Sequence, residues 1–379
     1  MEVYLDNSAT TKPYPLVVEE MAEVLNTVYA NPSSLHSMGK RAEDRLNIAR
    51  KTIADTLFCT PSEIVFTGGG TESDNLAIIG AANAYKKSGN KIITQKTEHM
   101  AVLETMKYLE SQGFEVYYAD VNADGTVDAE DIISHIDERT ILVSIMHVNN
   151  ETGAIMPIER IGSVIDHGRC LLHVDAVQSY GKLIINPAKM GIDLISVSSH
   201  KIHGPNGVGA LYVRKGARLL PIIHGGKQES GLRSGTENLA GICGFAKAAE
   251  LKFKGMDKAR EHIGAIRDFL LKSLQSSIEN VVVNSPEDGV YNILNVSFPG
   301  LKSEVLLHVL ESKGIFVSTG SACNSKKKLN YVLKSMGIKD SVIDAAIRIS
   351  LSEFNTLEEA EYVVQTLKKE VETLRKIMR

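Results

Sequence analysis

Seven short apolar runs, SEIVFT, NKIITQ, FEVYYADV, TILVSIMHV, RCLLHVDA, DLISVSS and GALYVR, recur between about residues 45 and 225 and constrain this chain more than any other feature. Most are rich in β-branched or aromatic residues and too short to be helices. Helix-like or loop-like sequence separates them, such as AEDRLNIARKTIADTLF and SDNLAIIGAANAYKKSG. Nearly continuous apolar runs suit strands covered on both faces, whereas strands with one wet face alternate. The expected fold is therefore α/β, a mainly parallel seven-stranded sheet flanked by helices.

A long helical stretch then runs from GTENLAGIC to FLLKSL. Beyond it the pattern changes to VYNILNVSFPG, a helix through SEVLLHVLESKG, the strand IFVSTG, a helix near YVLKSMG, the strand AIRISLS and a last helix from about Thr356. A chain of 379 residues exceeds what one core usually supports, so two units are expected. The division is a large unit over 15–255 and a smaller α+β unit formed by 1–14 and 256–379. Forty-two basic against 46 acidic residues give a net charge of −4, which argues against a nucleic-acid footprint over the whole surface. The start, MEVYLDNSATTKPYP, lacks an export signal, and no apolar stretch is long enough to cross a membrane, so a cytoplasmic protein is expected. The cysteines at 59, 170, 243 and 323 include no C-x-x-C pair and read as unpaired thiols.

In open parallel sheets ligands gather beyond the carboxyl ends of the strands, so the polar residues that end each run are the informative ones. SEIVF ends in TGGGTES and enters a helix. The glycines allow close approach of a ligand, Thr71 or Ser73 is placed to cap the helix, and free N–H groups there suit a phosphate; plain turn chemistry explains the same residues. Asp175 ends RCLLHVD, where a buried carboxylate needs a cation or donor, or else serves as a helix cap or a structural ion pair. Ser198, His200 and Lys201 end DLISVSSHK. A lysine at a buried strand end loses solvation, which lowers its pKa and suits it to form a Schiff base. A lysine, a carboxylate and a phosphate cradle are the set that pyridoxal phosphate requires, and His99 after NKIITQ is placed either as a stacking partner for its ring or as a structural histidine.

The order and spacing of YLDNSATT, NPSSLH, FTGGGTESDNLAI, TEHMAVLE, HVNNETG, HVDAVQ, SSHKIHGP, GLRSGTEN and STGSACNS, from about residue 3 to 353, resemble the cysteine desulfurases, the NifS/IscS-like branch of the fold-type I pyridoxal-phosphate enzymes. The resemblance implies Lys201 as the Schiff-base lysine, Asp175 beside the pyridine nitrogen, Gln178 toward the ring hydroxyl and His99 stacked on the ring. It implies Gly70, Thr71, Ser198 and His200 at the phosphate, joined by Thr236 from the other subunit of a homodimer. Asn150 matches a cofactor or substrate contact, Arg348 the clamp for the substrate carboxylate, and Cys323 the sulfur-accepting nucleophile.

The implied reaction converts L-cysteine to L-alanine and leaves a persulfide on Cys323. A sulfur-acceptor protein then collects it, either an iron–sulfur scaffold or a tRNA-thiolation sulfurtransferase; neither nucleic acid nor membrane is an expected direct partner. Gly320 and Lys326, Lys327 and Lys328 flank the nucleophile, in a segment about one residue shorter and more basic than is usual in the family. The chain also ends soon after its last helix. An aminotransferase would keep the cofactor but needs no thiol, and a non-catalytic docking protein would keep only the fold. Their discriminators are Cys323 and the visible absorption of a bound cofactor.

Overall fold

The computed structural model describes residues 1–319 and 330–377. Twelve strands are present among them: β1 (Val3–Tyr4), β2 (Ile64–Thr67), β3 (Lys91–Gln95), β4 (Glu115–Ala119), β5 (Thr140–Met146), β6 (Leu171–Asp175), β7 (Leu194–Ser198), β8 (Gly209–Val213), β9 (Val282–Val283), β10 (Ile293–Ser297), β11 (Ile315–Phe316) and β12 (Ala346–Ser350). The seven expected runs form one sheet in the order β2-β8-β7-β6-β5-β3-β4. Strands β4, β3, β5, β6 and β7 pair in parallel, and β8 runs antiparallel to both β7 and β2.

Burial on both faces explains why the runs do not alternate. Neighbouring residues on a strand point to opposite faces. Accordingly Ile93, Leu172 and Ile195 enter one apolar core, with the helices Ser37–Thr56 and Leu239–Lys254, while Ile92, Leu171 and Leu194 enter another, with Gly70–Tyr85 and Met100–Ser111. All five residues of β6 and of β7 are buried. Burying a full aliphatic side chain contributes about 1.5–3 kcal/mol, so these pairs hold both helical layers to the sheet.

A third apolar core lies between the antiparallel sheet β12-β10-β9 and the helices Met256–Ser277 and Leu357–Ile377. The single long helix expected before it is two helices, Leu239–Lys254 and Met256–Ser277. Gly255, at φ −101° and ψ 2°, leaves helical geometry between them. The strand expected at IFVSTG is only two residues long. β11 pairs in parallel with β1, and Ser318 beyond it exchanges backbone hydrogen bonds with Arg348 on β12, at 3.1 and 2.7 Å. No helix among the described residues is long and apolar enough to cross a membrane.

Candidate active site

The parallel register aligns the ends of β5, β6 and β7, pairing Met146 with Asp175 and Asp175 with Ser196. At or just beyond these ends lie Asn150, Asp175, Gln178, Ser198, His200 and Lys201.

At the end of β2 the chain passes through Gly68 and Gly69 into the helix Gly70–Tyr85. Gly69 holds φ 145° and ψ −176°, a conformation essentially restricted to glycine. Neither Thr71 nor Ser73 caps this helix, contrary to expectation. Gly69 is the N-cap and supplies no side chain, while Ser73, one turn inside, bonds Thr67 Oγ1 at 2.7 Å. The first-turn N–H groups therefore have no capping oxygen, as an anion site needs. Gly70, Thr71, Ser198 and His200 line one open cleft with Asn206 and Gly207. His200 is neutral there. Burial, Lys201 and Lys182 push its pKa down to about 4, and its Nδ1 lies 3.2 Å from Thr10 Oγ1.

Lys201 follows β7 in a short 3-10 turn, and its Nζ donates to the carbonyls of Ser8, at 2.5 Å, and Ala9, at 2.8 Å. Burial, followed by repulsion from Arg348, lowers its pKa to about 8, against the pull of Asp6, Asp175 and Glu151. The amine is thus far easier to deprotonate than an ordinary lysine. Asp175 is 5% exposed and accepts Val177 N–H at 2.9 Å. Burial raises its pKa, opposed by His99, that N–H group and Lys201. Behind it His173 joins Ser144 and Ser196, at 2.8 and 2.9 Å, near the buried Asp74. His99 caps the helix Met100–Ser111 through Nδ1, which accepts Ala101 N–H at 3.2 Å, so a neutral ring carries its proton on Nε2.

Gln178 donates through Nε2 to the Ser8 carbonyl at 2.9 Å. Gln178 Oε1, Ser198 Oγ, Asn150 Oδ1 and Arg348 Nε are all buried without a hydrogen-bond partner. A buried unpaired polar group costs about 1–3 kcal/mol, so four of them in one region mark a place built for a polar ligand. Together with the uncapped helix start, the buried carboxylate and the neutralisable lysine, they fit pyridoxal phosphate.

Arg348 projects from β12. Its Nη1 lies 2.7 Å from Glu151 Oε1 and 3.0 Å from the Asn150 carbonyl, and its Nη2 lies 2.8 Å from Asp6 Oδ1. Sequence reasoning quoted the motifs that contain Asp6, Ser8 and Glu151 without assigning these residues a role. It also missed Lys182, which is fully surrounded and donates to the Gln178 carbonyl at 2.8 Å; burial, Lys252 and Lys201 push its pKa to about 7. One expected residue is not brought into this arrangement: Thr236 is exposed, on a loop whose neighbours Gly235 and Glu237 border Gly68 and Gly207. Cys323 lies outside the described residues, as do Gly320, Lys326, Lys327 and Lys328.

The sequence over residues 3–363 matches the family described as aminotransferase class-V. The chain is 43% identical to the cysteine desulfurase IscS of Clostridium botulinum, over 99% of this chain and 96% of that protein. It is 42% identical to the cysteine desulfurase IscS of Methanosarcina thermophila, over 98% and 93%. Among solved structures, a NifS-like protein superposes with a TM-score of 0.93 at 40% identity, covering 98% of this chain and all of the other. SspA in complex with cysteine superposes with a TM-score of 0.83 at 36% identity, covering 93% of this chain and all of the other.

Proposed function

The chain belongs to the class-V aminotransferase family and, within it, to the pyridoxal-phosphate-dependent cysteine desulfurases of the IscS/NifS type, and on that premise we propose which of its residues perform the reaction. When bound, the cofactor supplies an aldehyde for amines and a protonated ring that withdraws electrons from the substrate's α-carbon.

Lys201 would bond the cofactor's aldehyde and, as a free amine, would serve as the base for the substrate's α-proton. Asp175 would keep the ring nitrogen protonated, Gln178 would donate to the ring hydroxyl oxygen and His99 would stack on the ring. Gly70, Thr71, Ser198 and His200 hold the phosphate, with Thr236 contributed by a second copy of the chain. Asn150 touches cofactor or substrate, and Arg348 holds the α-carboxylate of L-cysteine. Cys323, as thiolate, attacks the substrate sulfur. The carbon–sulfur bond breaks with its electron pair left on the substrate side, a sulfur–sulfur bond forms on Cys323, the β-carbon takes a proton, and Lys201 returns the proton it took to the α-carbon, giving L-alanine.

The observation that carries this reading is the presence of Lys201 and Asp175 at adjacent strand ends, amid four buried polar atoms that lack partners. The experiment is incubation with L-cysteine followed by mass mapping of thiols. Cys323 gains one sulfur atom in the wild type, and alanine formation stops in Cys323→Ser. Alanine formed at an undiminished rate by that variant would sink the assignment.

Two further parts of the reading concern organisation. Residues 15–255 form the cofactor unit, and 1–14 with 256–379 the smaller one, a division supported by their separate apolar cores. The protein is a cytoplasmic homodimer that passes sulfur to an iron–sulfur scaffold or a tRNA-thiolation sulfurtransferase, without direct nucleic-acid or membrane contact. Its accessible surface of 17,034 Å² exceeds the roughly 15,000 Å² typical of a compact monomer of this mass, and Leu25, Tyr29 and Leu35 stand exposed, both of which support a covering partner.

A further inference from the structure

Arg348 does not wait empty for a carboxylate. Two carboxylates of the chain itself already occupy it, and they are held very differently. Glu151 has an 8% exposed side chain fixed from three directions: Oε1 meets Arg348 Nη1 at 2.7 Å and Asn150 Nδ2 at 3.1 Å, and Oε2 accepts Asn330 Nδ2 at 3.0 Å. Asp6, its side chain 25% exposed, reaches Arg348 Nη2 through Oδ1 at 2.8 Å. Arg348 is itself only 6% exposed, so it cannot turn out to meet a ligand in solvent.

A guanidinium offers two edges for bidentate binding, the Nη1/Nη2 end and the Nε/Nη2 side. Glu151 and the Asn150 carbonyl take Nη1. On the other edge Asp6 takes Nη2, and Nε is buried without any acceptor. That edge is half filled. A carboxylate with two oxygens fills it completely, satisfying Nε as well, but only if Asp6 withdraws. Asp6 and Glu151 thus share one guanidinium, with the Lys201 amine near enough to feel all three groups. A third carboxylate on this edge has to compete with Asp6 for the same Nη2 donor.

We propose that Asp6 is a displaceable placeholder on the Nε/Nη2 edge of Arg348, which the substrate's α-carboxylate expels on binding, while Glu151 remains as the fixed brace of Nη1. This rests on the reading of Arg348 as the carboxylate clamp. Asp6 is then a specificity-determining residue. It keeps the buried cation paired between turnovers and sets a threshold that a ligand meets only with a carboxylate of its own.

The test uses the holoenzyme. Asp6→Asn keeps the shape and removes the competing charge, so it raises kcat/KM through a KM for L-cysteine roughly 5- to 50-fold lower, the range expected for a charge-assisted hydrogen bond reduced by partial exposure. By calorimetry, L-alanine binds tighter in the same proportion, while L-alaninamide, which lacks the carboxylate, gains nothing. A KM and an alanine affinity that stay unchanged or weaken overturn the proposal, as does an equal gain for the amide. Arg348→Lys separates this from the underlying reading. If it leaves KM and alanine affinity unchanged, the clamp itself is misassigned; if it weakens both while Asp6→Asn does not strengthen them, only the placeholder fails. Should Asp6→Asn not fold, a crystal of the wild-type holoenzyme with L-alanine decides. Asp6 beyond hydrogen-bond distance of Nη2, with Glu151 still on Nη1, supports the proposal, and Asp6 retained on Nη2 overturns it.

Discussion

Lys252 Nζ donates to both oxygens of Glu353, at 3.0 and 2.8 Å, joining the helix Leu239–Lys254 to the turn that follows β12. His203 Nε2 lies 3.1 Å from the same carboxylate, and the Tyr14 hydroxyl also donates to it. Burial alone would raise the Glu353 pKa, but His203 and Lys252 hold it well below the usual carboxylate range. Lys252 is only 4% exposed, so removing its partner strands a buried charge.

Glu353→Ala is therefore expected to destabilise the protein by about 3–5 kcal/mol in urea denaturation at pH 7. The sign with pH follows from the lowered pKa. The stabilisation is fully present above the unfolded glutamate value, about 4.3, and is lost as pH falls toward the folded value. The difference between wild type and variant should accordingly narrow below about pH 4; a gap constant down to pH 3 contradicts this account.

Lys201 governs a second pH dependence. With a pKa of about 8, about one amine in ten is neutral at pH 7, so the rate at which apo-protein bonds pyridoxal phosphate should rise roughly tenfold between pH 7 and 9 and then level off. Stopped-flow absorbance measures it, and a rate still climbing at pH 10 would show an unperturbed lysine. Arg348→Leu removes the cation that disfavours protonation and moves the plateau to higher pH, while Lys201→Ala binds no cofactor covalently. The folded amine also releases its proton where the unfolded chain still holds one. Apo-protein stability should therefore increase with pH between about 8 and 10.5, with Lys182 extending the rise downward toward 7.

Gly69 isolates the contribution of backbone conformation to the phosphate cradle. A Cβ there meets nothing within 4 Å, so Gly69→Ala has no clash to relieve, and its cost comes from φ 145° alone. The expected effect is a loss of about 1–3 kcal/mol, seen either as lower stability or, if the turn refolds, as roughly 10- to 100-fold weaker cofactor binding. Thermal melts and equilibrium dialysis distinguish the two, and no change in either contradicts the role.

Tyr331 ties the helix Tyr331–Ser335 to the loop that holds His99, its hydroxyl donating to the Glu98 carbonyl at 2.6 Å. Tyr331→Phe removes that bond and leaves a carbonyl without its donor, for an expected loss of about 0.5–1.5 kcal/mol in chemical denaturation. A stability equal to wild type would mean that water replaces the hydroxyl without cost.

The sheet was legible in the sequence because its strands are covered on both faces and therefore leave unbroken apolar runs such as TILVSIM. Asp175 and Lys201 were legible because a charge at the end of such a run needs a physical reason. Asp6 and Glu151 were not, since their partner Arg348 lies 342 and 197 residues away and neither carboxylate looks unusual among its neighbours. Lys182 likewise resembles any lysine after a glycine until Lys252 and Lys201 are seen beside it. The helix cap at Thr71 or Ser73 was misread because both residue types favour N-caps. Gly69 starts the helix two residues before Thr71 and four before Ser73, and leaves both hydroxyls inside its first turns.

Among the described residues, the one strand that pairs with β1 is β11, more than 300 positions later in the chain, at Val3↔Ile315. A ribosome adding roughly 5–20 residues each second needs on the order of a minute or less to cover that gap. Throughout it Asp6 and the carbonyls of Ser8 and Ala9 belong to a nascent end with no ladder to join, although β6, which ends in Asp175, and β7, which leads into Lys201, have already emerged. The amino terminus is therefore among the first segments made and among the last to settle. A fusion or tag placed there burdens the final stage of maturation, after the central sheet has formed.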